Sequence, residues 1–437
     1  LPHRPDGPCP DASDTILGLR RLADTAAHGA ECAKLRCTNS LRQFFRLTED
    51  SMQHLVTPEH YAVARRVNAQ LNQTESRNNL PVVNSRPLKL GLDISDVCNI
   101  RCIFCLAEKG RKRASDPDAF RKPEWLDPFE PLLPFINIAI LSSYEAILNP
   151  WLDQFVERLW KYRTPLQIFS NGNALTPQLG EYLLSRNLHS LWCSFHGARQ
   201  KTYHSIMKGS DYDTVLSNLM HMKLFSRKHN LADYNLTMVF CAMRRTIGEL
   251  LEYVDLAHRV GAKNIQVNYL LVTKPDSGLD REAMCFYPEL YDEMVLAAKA
   301  KAARLGITLN HQRLFRDGQK AAETGPCYRP WEHLNVGQNG QATVCCGGCG
   351  NLGNMFTQGF PQLWNSQRLA EFRARINSDD PPAACRSCTR GREDPHSLLT
   401  HLTYLRALPE AERLARMEKL RPGSTQAGTS PVMACAC

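Results

Sequence analysis

Between Leu88 and about Asn310 the chain alternates strand-like and helix-like stretches, and this alternation restricts the fold more than any other feature. Leu88, Leu90, Leu92 and Ile94 take turns with Lys89, Gly91, Asp93 and Ser95, the two-residue period of a strand. Further strands are expected at 135–142 (FINIAILS), 166–171 (LQIFSN), 188–195 (LHSLWCSF), 234–243 (YNLTMVFCAM) and 264–271 (NIQVNYLL). Helices are expected over Trp151–Tyr162, after Thr176, from about Asp213 to Ser226, from Gly248 to Val260 with Gly261 as stop, and from about Tyr287 to Ala303. Six strand-then-helix units imply an α/β fold with a parallel sheet and right-handed crossovers. They are too few for a closed eight-stranded barrel.

The first strand runs into DISDVCNIRCIFC, where Cys98, Cys102 and Cys105 form C-x-x-x-C-x-x-C. These cysteines are therefore placed on the loop at the C-terminal end of the strand, the catalytic face of parallel barrels. Thiolates are soft donors suited to iron–sulfur chemistry. Three at this spacing fit around one face of a 4Fe–4S cube, each on its own iron. The fourth iron is left open to bind a substrate-like molecule. A structural zinc ion wants a closed set of four ligands, and no fourth Cys or His stands nearby.

This arrangement resembles the radical S-adenosylmethionine (radical SAM) superfamily. In that family the open iron binds the amino and carboxylate groups of SAM. An electron from the cluster then cleaves the sulfonium to methionine and a 5′-deoxyadenosyl radical, which takes a hydrogen atom from substrate. The resemblance implies an open six-unit partial barrel, (β/α)6, and the unit count agrees. Phe104, just before the third cysteine, is placed to cover the adenine. At the end of the second strand S-S-Y-E-A-I-L-N-P resembles the family's G-G-E-P-L-L-x-P run. Glu145 takes the acid position, which with the backbone binds the methionine amino group, and Pro150 matches the later proline. Ser143 and Tyr144 replace the two glycines, and Ala146 the first proline. Ser170-Asn171-Gly172 resembles T-N-G, with Asn171 reaching into the site. Ser194-Phe195-His196-Gly197 resembles S-x-D-G: Ser194 is the expected contact to the SAM ribose or carboxylate, and His196 replaces the usual acid. Arg244 and Arg245 after the fifth strand, and Gln266, Asn268 and Tyr269 on the sixth, stand where a polar substrate would be held. Residues that merely solvate the rim would look the same.

A second group of cysteines follows. Cys327 precedes Trp331, Gly340-x-x-x-x-Cys345, NLGNMF (351–356), QLWNSQRLAEFR (362–373) and Cys385-x-x-Cys388. The order resembles the SPASM or twitch module, a C-terminal auxiliary-cluster unit of radical SAM enzymes. The longer SPASM form needs cysteines after C-x-x-C, and here the next are Cys435 and Cys437 in a Gly-, Ser- and Thr-containing tail that reads as disordered. The resemblance thus implies the shorter twitch form, with one auxiliary 4Fe–4S cluster on Cys327, Cys345, Cys385 and Cys388. A structural zinc in the same four cysteines is the alternative. Cys346 and Cys349 in VCCGGCG can replace Cys345 as ligand, be spare, or act catalytically as thiol hydrogen donors to a substrate radical.

Four regions are expected: a mainly helical N-terminal extension (1–86), the partial-barrel core (87–310), the small Fe–S module (320–395) and a C-terminal tail (396–437). In the extension, helices are expected over Asp14–Ala27, Leu41–Leu55 and Pro58–Asn72, with Thr57 and Pro58 as N-cap and first residue. The composition, 43% hydrophobic and 22% charged, is that of a globular chain. No membrane-spanning run and no signal peptide are visible. The 17 cysteines group at metal-like spacings and not as a secreted disulfide framework, which points to a reducing cytoplasm. The net charge of +9 comes without a basic RNA-binding motif, so a nucleic-acid partner is not expected.

The function expected is a radical SAM enzyme, oxidoreductase-like. It would abstract hydrogen from a polar small molecule such as a sugar, aminocyclitol or nucleotide, giving oxidation or rearrangement. A flavodoxin- or ferredoxin-type protein would be the electron donor. Peptide modifiers often carry a winged-helix leader-binding domain, and residues 1–86 read helical instead. A maturase or epimerase of a ribosomally made peptide is the first alternative. A non-catalytic Fe–S or zinc scaffold is the second.

Overall fold

The computed structural model describes residues 60–231, 234–317, 325–345, 350–386, 388 and 394–420. Outside them lie the first two expected N-terminal helices, the Thr57–Pro58 cap, Cys346, Cys349 and the end of the chain with Cys435 and Cys437.

Alternating side chains build a parallel sheet from β1 (Lys89–Leu92), β2 (Ile138–Leu141), β3 (Leu166–Ser170), β4 (Leu188–Ser194), β5 (Asn235–Ala242), β6 (Asn264–Tyr269) and β7 (Thr308–His311). Each strand pairs with the next in parallel. A further strand, β8 (His333–Val336), returns to pair in parallel with the free edge of β1. The antiparallel β9 (Gln341–Thr343) and β10 (Gly353–Asn354) extend the sheet beyond it. The resulting order, β10-β9-β8-β1-β2-β3-β4-β5-β6-β7, is linear, so the α/β barrel is open. Its parallel part holds the six expected strands and two more, β7 and β8.

The strands divide the interior by chemistry. On β6, Ile265, Val267 and Tyr269 are buried, while Asn264, Gln266 and Asn268 on the other face are half-buried. The apolar face joins one core with the helices α2 (Leu152–Lys161), α3 (Pro177–Ser185), α4 (Tyr212–Lys228), α5 (Leu250–Val260) and α6 (Pro288–Arg304); α1 (Tyr61–Arg77) precedes them in the chain. Local signals set the helix ends. The Thr176 hydroxyl accepts from the Leu179 N–H with Pro177 following, and the Asp211 carboxylate caps α4 through the Thr214 N–H. Gly261, at φ +81°, ends α5 in the left-handed region as a glycine can. The opposite face is polar. Gln167, Ser190, Trp192, Asn235, Thr237 and Asn264 help enclose a cavity of about 240 Å³ toward the N-terminal ends of the strands.

Helix α1 begins at Tyr61, with His60 as N-cap, and runs on to Arg77, later at both ends than expected. After Tyr61 and Ala64, its buried face is polar: Asn68, Asn72, Glu75 and Ser76. Asn72 donates to the Trp331 carbonyl at 2.6 Å, and Glu75 accepts from the Asn84 and Ser85 N–H groups. The indoles of Trp331 and Trp364 donate to Leu80 O and Ser85 O. From the helix α7 (Gln367–Ile376), Arg373 is wholly buried and donates to Pro330 O, Trp364 O and Pro81 O. Residues 72–86 thus fasten the C-terminal segment to the sheet.

Residues 396–420, expected as the start of a tail, are ordered. The Val272 N–H donates to His401 O at 2.7 Å, and His401 stacks on Phe315 at 5.9 Å. The helix Glu410–Leu420 follows. Among the described residues, no helix is long and apolar enough to cross a membrane.

Candidate active site

The loop after β1 is held by a buried carboxylate. Asp96, with a side chain 1% exposed, meets Arg121 Nη2 at 2.5 Å and Lys112 Nζ at 3.2 Å. Its N–H donates to Ala119 O, and its carbonyl accepts from the Lys112 N–H. The segment 112–121 therefore wraps the cysteine loop from outside. On the inside, a two-residue ribbon pairs Arg101–Cys102 with Met207–Lys208.

Cys98, Cys102 and Cys105 are half-buried and not in disulfides. Burial pushes the Cys98 and Cys102 thiols up, Cys102 to about 12, and neighbouring thiols of the trio add to both shifts. The three therefore share one electrostatic site. Among the described residues, no three His, Cys, Asp or Glu side chains converge on one point as metal ligands.

Glu145 lies against this loop, its N–H donating to Val97 O at 3.0 Å. The turn before it has φ +71° at Ser143 and +42° at Tyr144. The backbone thus takes the left-handed course that glycines favour, at a cost of ~1–3 kcal/mol per residue. The Tyr144 hydroxyl reaches across to Gly110, where a Cβ would collide with it. Glu145 is fully buried, and burial lifts its carboxyl to about 7. Oε2 accepts from the Asn171 N–H at 2.7 Å, while Oε1 has no partner. Asn171 spans the gap between the two loops. Its Nδ2 donates to Asn99 Oδ1 at 2.9 Å and approaches Cys98 Sγ at 3.7 Å. Gly172 follows at φ +75°, and a Cβ there would stand 2.9 Å from Val215.

Phe104 meets the imidazole of His196 edge-on at 5.1 Å, so the end of β4 touches the cysteine loop. His196 is buried, which lowers its pKa to about 4 and keeps the ring neutral. It is a packing partner of Phe104, a role its place in the S-x-D-G-like run did not reveal. Ser194 ends β4, half-buried like Trp192 two residues before it.

Other expected contacts are engaged elsewhere. Tyr269 lies on the apolar face among Tyr291, Phe315 and His401, because the strand period puts it opposite Gln266 and Asn268. Arg245 pairs with Glu282, and Arg244 lies over the Tyr287 ring. Arg111 and the Asp96–Arg121–Lys112 group were missed, since only the fold brings residues 111–121 back to 96.

In the second group, Cys327 donates its N–H to Asn377 Oδ1 at 2.8 Å. Burial raises its thiol, and Cys388 and Cys345 raise it further, so these three share a site. Cys385 stands in the turn Ala383–Arg386 just before Cys388.

Residues 327–389 match the SPASM family, an iron–sulfur cluster-binding domain. Beyond that module, the chain is similar to radical SAM enzymes. Mycofactocin maturase MftC of Mycobacterium tuberculosis is 22% identical over 177 residues, 40% of this chain and 43% of that protein. The chain therefore aligns with less than half the length of that relative. AdoMet-dependent heme synthase of Methanosarcina barkeri is 21% identical over 325 residues, 70% of this chain and 89% of that protein. Streptococcus suis SuiB bound to its precursor peptide SuiA has the same fold, with a TM-score of 0.54 at 13% identity over 76% of this chain and 74% of SuiB. The cofactors that go with the superfamily are 4Fe–4S clusters and S-adenosylmethionine. The site fits them: three free thiols share one loop, beside a buried carboxylate oxygen without a partner.

Proposed function

We propose that this protein is a radical SAM enzyme that modifies a peptide. One observation carries the reading: the Cys98, Cys102 and Cys105 loop faces Glu145, whose Oε1 is unpartnered, and Asn171 bridges the two. Cys98, Cys102 and Cys105 would hold the radical cluster. Glu145 would receive the SAM amino group, Ser194 the ribose or carboxylate, and Phe104 would cover the adenine. Bound there, the cluster and SAM supply a 5′-deoxyadenosyl radical; the protein aims it and excludes water. Cys327, Cys345, Cys385 and Cys388 would hold one auxiliary cluster in residues 320–395, with Cys346 and Cys349 as spare thiols. A flavodoxin- or ferredoxin-type protein would deliver electrons.

The expected preference for a small polar substrate gives way to a peptide. MftC is named a maturase, and SuiB was captured with a precursor peptide. Gln266 and Asn268, on the polar face of β6 toward its C-terminal end, support this, since amide side chains can pair with peptide groups through both a donor and an acceptor. The test adds the peptide fraction of a cell extract to the reconstituted enzyme and follows 5′-deoxyadenosine release under dithionite. Stimulation that disappears after protease treatment is expected. Stimulation only by a protease-resistant small-molecule fraction would restore the first expectation.

A further inference from the structure

The cysteine loop carries a cation for which the proposed SAM contacts have no use. Arg111 donates through Nη1 to Ile100 O at 2.7 Å and through Nη2 to Cys105 Sγ at 3.8 Å. Its third donor, Nε, is buried and has no partner. A buried donor left unpaired costs about 1–3 kcal/mol, so the position calls for an acceptor. The hydroxyl of Tyr144 lies over Gly110, bracing the backbone next to Arg111.

We propose that Arg111 sets the reduction potential of the cluster on Cys98, Cys102 and Cys105. The inference rests on the reading that these cysteines hold a 4Fe–4S cluster. Nη2 donates to the Cys105 thiolate, and Nε supplies a second N–H toward the anionic cluster. Reduction adds one electron and no proton, taking the cluster from the 2+ to the 1+ state, and dithionite supplies that electron in vitro. The added negative charge is stabilised by a nearby cation and by hydrogen bonds to sulfur, two of the factors that set cluster potentials. Arg111 therefore makes the cluster easier to reduce. Asn171 also points an N–H at a thiolate, Cys98, but carries no charge. Arg111 is a positioning and tuning residue that acts through the cluster.

The experiment uses the full chain, anaerobically reconstituted, as wild type, Arg111→Met, Arg111→Gln and Arg111→Lys. Iron content, the midpoint potential from an EPR-monitored dithionite titration, and SAM binding by equilibrium dialysis are measured on each. The signal of interest is the one lost in the Cys98, Cys102, Cys105 triple alanine variant. If that variant loses no signal, the cluster reading fails and the proposal falls with it. Arg111→Met is expected to lower the ratio of reduced to oxidised cluster at least tenfold at fixed potential, about 59 mV for a one-electron couple. Arg111→Lys should recover most of this, and Arg111→Gln should not. An unmoved potential in Arg111→Met, a Lys variant as low as Met, or weaker SAM binding at unchanged potential would overturn the proposal. If neither neutral variant holds iron while Lys loads at the wild-type potential, the residue is structural and the proposal is equally overturned.

Discussion

Asp96→Asn should loosen the cysteine loop more than any other single exchange of similar size there. The carboxylate is 1% exposed and is the shared partner of Arg121 and Lys112, whose side chains are 11% and 26% exposed. Breaking a buried ion pair by removing one partner costs about 3–5 kcal/mol, because the remaining charge stays desolvated. Here the cations keep some compensation. Arg121 still donates to Gln338 Oε1 at 2.7 Å, and Lys112 still meets Asp118. The lower end, about 3 kcal/mol, is therefore expected. The same mutation releases the segment 112–121 that covers the loop, so iron at the radical site should fall with stability. The assays are urea denaturation of the full chain and iron content after anaerobic reconstitution. A loss below about 1 kcal/mol, the range of an exposed pair, together with full iron content, would refute the argument that this carboxylate organises the loop.

Arg373→Ala removes a buried guanidinium that donates to Pro330, Trp364 and Pro81 carbonyls and covers the Trp364 ring at 4.6 Å. It should cost several kcal/mol and deplete auxiliary-cluster iron, while SAM cleavage without substrate persists; equal loss of auxiliary iron and SAM cleavage would contradict a separate module. Burial lowers His401 to about 4 and keeps it neutral in the fold. The unfolded chain then binds the extra proton as pH falls from about 6.5 toward 4, so stability declines across that window. His401→Phe should lessen the decline in urea midpoint between pH 7 and pH 5, and an unchanged decline would show that His401 is not its source. Turnover in deuterated water should give product lighter by two hydrogens and no incorporated deuterium if the substrate radical is oxidised. Deuterium at a substrate carbon, lost in the Cys346→Ala, Cys349→Ala double variant, would instead assign a hydrogen-donor role to those thiols.

Strands such as β6 were legible because they bury one face, Ile265 and Val267 declaring a period of two, and β5 because it is a largely apolar run buried on both faces. Strand β7 was missed because Thr308–His311 offers only Leu309 as a buried residue, too little pattern to read. The pairing of β8 with β1 joins Leu334 to Leu90 across the whole barrel, and local sequence carries no trace of such a partner. The turn at Ser143 and Tyr144 read as a departure because the residues are wrong for it, yet the chain adopts positive φ there. The buried face of α1 was unreadable for the opposite reason. Asn68, Asn72 and Glu75 look like solvent-facing residues, yet they hydrogen-bond to backbone groups of residues 84–86 and 331 and to the Ser85 hydroxyl.

Iron content and SAM cleavage, measured together on the wild type and on the Cys98→Ala, Cys102→Ala, Cys105→Ala variant, test the central claim most directly. Two clusters of the four-iron type predict about eight iron atoms per chain and dithionite-dependent release of 5′-deoxyadenosine. The triple variant should retain about four, on the auxiliary cysteines, and release none. A triple variant that still cleaves SAM, or a wild type that binds zinc and no iron, would contradict the account.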